Sequence, residues 1–301
     1  MPTQLIQDTF LNTYKDDYKD SDNYYKILFN NARSLQQREL NQMQSILTND
    51  IAQNSQFIFS QGQASQGGVL TVLNKVNFIK LDATSGTTID SLTNPTTDLV
   101  GIVFTESDTG VKFRVGKVDV ATGSTKATLY GAYVDANNAT GEADDGIKIT
   151  DGKTLTGTDG TTLTSFSGGG TADPTKGFGT IATINSGKFY LDGHFVFAPE
   201  QSLTLSQYTS TYTGTVGFRV TEEIVTSADD NELFDNSGAT LNTASPGADR
   251  HKITLTFIDE ADISAGDYFI KQGSIENGKI AFAGAGGGGQ KVAELNGLLA
   301  T

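Results

Sequence analysis

Lys188-Phe189-Tyr190-Leu191-Asp192-Gly193-His194-Phe195-Val196-Phe197 reads as two short runs of strand-forming residues joined by an Asp-Gly pair. A two-residue type I′ turn needs positive φ at both central positions, and Asp-Gly supplies it at low cost, so the stretch predicts a tight antiparallel hairpin. The neighbouring sequence agrees. Val216, Phe218 and Val220 alternate with Gly217, Arg219 and Thr221, and Ile253, Leu255 and Phe257 alternate with Lys252, Thr254 and Thr256. Period-two alternation marks strands with one buried face, as in an antiparallel sheet. Asn277-Gly278 predicts a further hairpin.

Moving toward the N-terminus, Val111, Phe113 and Val115 alternate with Lys112 and Arg114, after which Val118 and Val120 take the other phase. A β-bulge at Gly116 would produce that one-residue slip. Strand character continues from Lys126 to Val134. Residues 136–176 are the most polar part, with turn signals at Asn137-Asn138, Asp144-Asp145-Gly146, Asp151-Gly152 and Asp159-Gly160, and a linker-like run from Ser167 to Lys176. The expected class is mainly β, with an N-terminal extended arm and α-helix (1–60) followed by two antiparallel β-domains, sandwich or barrel-like, at 61–175 and 176–283. Residues 284–301 read as a Gly-rich linker and a tail with a short helical pattern.

The first sixty residues differ from the rest. Residues 8–29, rich in Tyr, Asp, Lys and Phe, read as an extended arm with short turns. Ser34-Leu35-Gln36-Gln37 has the capping-box pattern of a helix start, and neither Gly nor Pro interrupts the chain from there to about Ser55. Leu40, Met43, Leu47 and Ile51 form an apolar stripe at three- and four-residue spacing, with Ile46 to the side. Such a stripe could pack the helix on its own β-domain, or it could associate with copies of itself as a short coiled coil. Asp50 and Asn54 fall where a heptad seam would continue, so spacing leaves both open.

Composition bounds the function. The net charge of −14, from 35 acidic and 21 basic residues, disfavours binding to nucleic acid or anionic lipid. The absence of cysteine removes disulfides, thiolate zinc sites and thiol nucleophiles. No apolar run has the length of a membrane span, and the first ten residues lack a secretory pattern, so a soluble protein made in a cytoplasm is expected.

The usual chemistry is not apparent. His194 and His251 each lack a second histidine at helical ligand spacing and are read as structural. Gly152-Lys153-Thr154 lacks the earlier glycine of a phosphate loop and is read as a turn. The acidic group Asp16, Asp17, Asp20 and Asp22 fails the EF-hand spacing at Tyr24. Glu222-Glu223 and Asp229-Asp230 are adjacent, but strand neighbours point to opposite faces, so Glu222 and Glu223 could not share one substrate. No cofactor or metal is expected, and no enzymatic activity.

Two stretches carry a resemblance. The first is Tyr24-Tyr25-Lys26-Ile27-Leu28-Phe29 followed by Ala32-Arg33-Ser34-Leu35-Gln36-Gln37-Arg38-Glu39-Leu40 and Ile46-Leu47. The second runs from Phe189-Tyr190-Leu191-Asp192-Gly193-His194-Phe195-Val196 through Glu222-Glu223-Ile224-Val225-Thr226, Leu233-Phe234-Asp235-Asn236 and Pro246-Gly247-Ala248-Asp249-Arg250-His251. Together they resemble a phage virion protein family of uncharacterised function, with YYRILF- and ALQARELTQLQ-like segments near its N-terminus. Asn30-Asn31-Ala32 departs from that family's Pro-Gly pair before the arginine. The resemblance implies a structural component of a bacteriophage tail, attached to the baseplate or joining a tail fibre to it. It further implies a homotrimer, partners among tail, baseplate or fibre subunits, and a place in the virion after assembly in the host cytoplasm. A distal module that binds host glycan is the alternative. On the structural reading, Tyr14, Tyr18, Tyr24, Tyr25, Phe29, Leu40, Met43, Leu47 and Ile51 are the expected partner and oligomer interface, because tyrosine offers large, rigid contact area.

Overall fold

The computed structural model describes residues 14, 16, 18–31, 33–82, 94–121, 126–134, 148–168, 174–235, 237, 238, 240 and 242–283. Residues 8–13 of the expected arm, the turns expected at 137–138 and 144–146, residues 169–173 of the linker-like run, and everything expected of 284–301 lie outside them.

The protein is mainly β, built of antiparallel sheets, one of them curled into a half-barrel, behind one N-terminal helix. A 3-10 turn at Asp20–Asp22 precedes helix α1 (Gln37–Ser55), and a one-turn helix α2 (Pro95–Asp98) follows later. The strands in order are β1 (Ala64–Gly67), β2 (Leu70–Lys80), β3 (Val103–Glu106), β4 (Lys112–Asp119), β5 (Thr128–Tyr133), β6 (Thr154–Gly157) and β7 (Thr162–Thr164). Then come β8 (Lys176–Ile184), β9 (Gly187–Leu191), β10 (His194–Ala198), β11 (Gln201–Ser206) and β12 (Gly214–Val225). Last are β13 (Phe234–Asp235), β14 (Asn242–Pro246), β15 (Arg250–Asp259), β16 (Tyr268–Glu276) and β17 (Lys279–Ala283).

An eight-stranded sheet has the order β11-β8-β2-β5-β4-β3-β6-β7, a four-stranded one β15-β12-β16-β17, and a three-stranded one β1-β9-β10. β2 and β8 are hydrogen-bonded neighbours across the expected boundary near residue 175, so the large sheet draws strands from both expected domains. Among the described residues three buried apolar clusters form, two large ones and a small one of Phe78, Tyr130 and Ile181. One large cluster gathers Phe104, Phe113, Leu129, Leu155 and Leu163 beside β3 to β7. The other packs Phe189, Leu191 and Val196 against Val216, Phe218, Leu255 and Phe257. Phe218 is its centre, 4.7 Å from the Phe189 ring and 6.0 Å from the Phe257 ring, both edge-on. Each such side chain fully buried contributes roughly 1.5–3 kcal/mol.

The local signals act as their chemistry requires. Asp192 and Gly193 have φ of 40° and 92°, and Asn277 and Gly278 have 50° and 72°, which closes the β9–β10 and β16–β17 hairpins. In β4 the register shifts between Val115 and Lys117, the bulge that changes the phase at Gly116. The helix start differs from expectation: α1 begins at Gln37 with Gln36 as its N-cap. The Glu39 carboxylate accepts the Gln36 N–H at 2.9 Å, so the glutamate reaches the cap before Gln37 could serve Ser34.

Candidate interaction surface

The β9–β10 hairpin seats α1. Gly193 lies under the helix so closely that a Cβ on it would come within 2.9 Å of the Ala52 Cβ and 3.0 Å of the Thr48 carbonyl oxygen. The Tyr190 hydroxyl donates to the Ala52 carbonyl at 3.1 Å, and the Gln61 amide bonds the Asp192 carboxylate. Phe59, just past the helix, packs on Tyr190 at 5.8 Å and on Phe195 at 5.2 Å. Burial raises the Asp192 carboxyl above its usual range, with the Gln61 hydrogen bond opposing it.

The arm lies on a second flank of the same helix. The Asn41 amide donates to the Tyr14 carbonyl and the Ser45 hydroxyl to the Asp16 carboxylate. Asn49 and Gln53 donate to Asp20 at 3.1 and 3.4 Å. The arm thus runs in the same direction as the helix: Tyr14, Asp16 and Asp20 meet polar side chains on successive turns, Asp20 taking two of them, while the Tyr18 hydroxyl donates to Asp20. Ile46, on the flank with Asn49 and Gln53, is the buried residue of α1 at 5% exposure. The Tyr14 hydroxyl then donates to the Asp249 carboxylate at 2.5 Å, tying the arm to the start of β15; this bond raises the Tyr14 hydroxyl's pKa. Tyr18 is also raised, first by burial and then by Asp20.

The expected interface residues thus fall into two groups. Tyr14 and Tyr18 are half-buried in contacts within the chain. Leu40, Met43, Leu47 and Ile51 face solvent at 39–57% exposure, and Tyr24, Tyr25 and Phe29 are more than half exposed. The stripe on α1 does not pack the helix onto its own β-domain; the helix meets the β9–β10 hairpin at Thr48 and Ala52, and its polar row holds the arm. That row, Asn41, Ser45, Asn49 and Gln53, is visible in the sequence at four-residue spacing, though polar spacing is a weak signal alone.

The remaining candidates are placed as follows. Glu222 and Glu223 do face apart: Glu222 lies 2.9 Å from the His251 ring, and Glu223 pairs with Lys252, directly opposite, at 2.6 Å. The fold also brings the His194 and His251 rings to 6.4 Å, a long-range pairing that no local spacing reveals. Burial and then the neighbouring His251 hold His194 below its ordinary pKa. Asp229 and Asp230 accept local N–H groups, from Thr226 and Glu232. Asp16 and Asp20 are spent on α1, and Asp17 lies outside the described residues. Gly152 sits in a turn at φ 69°, with Lys153 paired to Asp108 at 2.5 Å. Among the described residues no group of three His, Asp or Glu side chains is placed to hold a metal ion, and no helix is long and apolar enough to cross a membrane.

A family model described as Domain of unknown function (DUF4815) matches residues 12–86 and 142–287. No curated protein matches the chain, and neither does any solved structure.

Proposed function

The chain belongs to the DUF4815 family, and from that premise we propose that it is a non-enzymatic structural component of a bacteriophage tail. In this reading it attaches to the baseplate or joins a tail fibre to it, as a homotrimer built in the host cytoplasm. The observation that carries the reading is the distribution of exposed apolar side chains. Among the described residues, most of the large hydrophobic side chains left in solvent lie between Tyr24 and Ile58, and they include Leu28, Leu35, Leu47 and Phe57. Exposed apolar side chains concentrated in one segment are what an association site requires, since a monomer gains nothing by keeping them wet. The segment that displays it contains the first stretch of the resemblance to phage virion proteins. The sandwich core behind it supplies a rigid base, and the α1–hairpin contact fixes the display in place.

The test is assembly. Leu40, Met43, Leu47 and Ile51 are changed together to serine, and the variant is supplied as the only copy during particle production. A folded variant that is lost from purified particles supports the reading. Incorporation at the normal level refutes it, as does detection of the wild-type chain free of every tail component.

A further inference from the structure

We infer that the arm is exchangeable, and that in the assembled protein the polar row of α1 is occupied by the arm of a second copy of this chain. Three observations lead there, none of which depends on the tail assignment. The first is the nature of the contact. Asn41, Ser45, Asn49 and Gln53 hold the arm through side-chain hydrogen bonds, and the same bonds form with identical geometry whichever copy supplies Tyr14 to Asp20. The second is length. The arm runs parallel to α1, so the chain must return from Asp20, beside Asn49 and Gln53, to Gln36 at the helix start, a distance of roughly 20–25 Å. Residues 21–36 can span roughly 50 Å. The connection has about twice the reach that its own helix demands.

The third observation is the cost of the closed arrangement. With the arm on its own helix, the connection leaves Tyr24, Tyr25, Leu28, Phe29 and Leu35 at 56–75% exposure. A connection drawn between two copies would instead pass along the boundary between the two molecules, where those side chains could be covered. Exchange of an identical element needs no new contact at the arm itself, and its only gain is the covering of the connection. Tyr14 travels with the arm, so its bond to Asp249 would also cross between copies and tie one molecule's arm to its neighbour's β15.

The chain has no cysteine, which makes a disulfide test unambiguous. Asp16→Cys is combined with Ser45→Cys in the full chain, positions joined by a hydrogen bond. A second pair, Asp20→Cys with Asn49→Cys, repeats the test should the first perturb folding. The concentrated protein is oxidised and run on a denaturing gel without reductant, beside the single-cysteine variants. Species at multiples of the chain mass, formed by the double variants and not by the singles, are the expected result. A disulfide confined to single chains overturns the inference, and so does the absence of any disulfide or equal multimer formation by the singles. Because the readout is a covalent link between copies, it stands or falls separately from incorporation into tails.

Discussion

Replacing Gly193 with alanine puts a methyl group where the hairpin meets the helix. Two costs follow, and the structure allows them to be separated. Gly193 has φ of 92°, a region where a side chain costs about 1–2 kcal/mol. The new Cβ also meets Ala52 at 2.9 Å and the Thr48 carbonyl at 3.0 Å, both belonging to a helix that cannot yield without moving as a unit. Overpacking of that kind costs about 1–3 kcal/mol. Gly266 is the matched control, because it has φ of 100° and nothing within 4 Å of an added Cβ. Gly266→Ala should lose only the backbone component, whereas Gly193→Ala should lose about 2–5 kcal/mol in all, the sum of the two. Urea unfolding followed by circular dichroism measures both, and tryptic cleavage after Arg38 reports whether α1 has been lifted from its seat. Equal losses in the two variants would show that α1 does not rest on the hairpin, and the argument for a rigidly displayed handle would fail with it.

Leu47→Glu with Ile51→Glu should leave unfolding of the chain within about 0.5 kcal/mol of wild type, as expected for exposed positions, while abolishing self-association in sedimentation; retained association at high concentration would exclude the stripe. Phe218→Ala should cost about 3–5 kcal/mol, because its ring lies between Phe189 and Phe257 with no route for collapse. A change below 1 kcal/mol in urea would deny the sandwich core its centre. For pH, burial holds His194 below its ordinary value, so as pH falls through the region near 6.5 the unfolded chain takes up a proton that the folded chain resists. Stability from this group is therefore present above that region and is lost on acidification toward the depressed folded value. Urea midpoints at pH 7.5 and 5.5 should differ more for wild type than for His194→Gln, and identical differences would remove the histidine from the account. Asp192 acts in the opposite sense near its own, lower range, since its raised carboxyl binds a proton more readily when folded.

What could be read from the sequence was short-range. Asp192-Gly193 and Asn277-Gly278 each specify their turn from two residues, because the backbone conformation is itself the constraint. The phase slip at Gly116 was readable because a bulge alters the alternation on both sides of it. The helix start was misplaced by the same locality: Ser34 and Glu39 offer competing caps only residues apart, and the charged acceptor took the Gln36 N–H. Nothing local could report that β2 and β8 are neighbours, or that His194 would face His251, since both facts arise from how the sheets close.

The helix stripe shows how far periodicity reaches. Apolar spacing identified Leu40, Met43, Leu47 and Ile51 as one face, and it is one face, yet Ile46 is what the chain buries. A periodic pattern states which side chains share a surface but not which molecule covers it. Here the covering of the other faces comes from a glycine with no side chain to obstruct, and from an arm held by a row of polar side chains on successive helical turns. Neither device requires hydrophobic residues. The apolar ones are thereby left in solvent, and the polar row that grips the arm carries no mark of which copy the arm must come from.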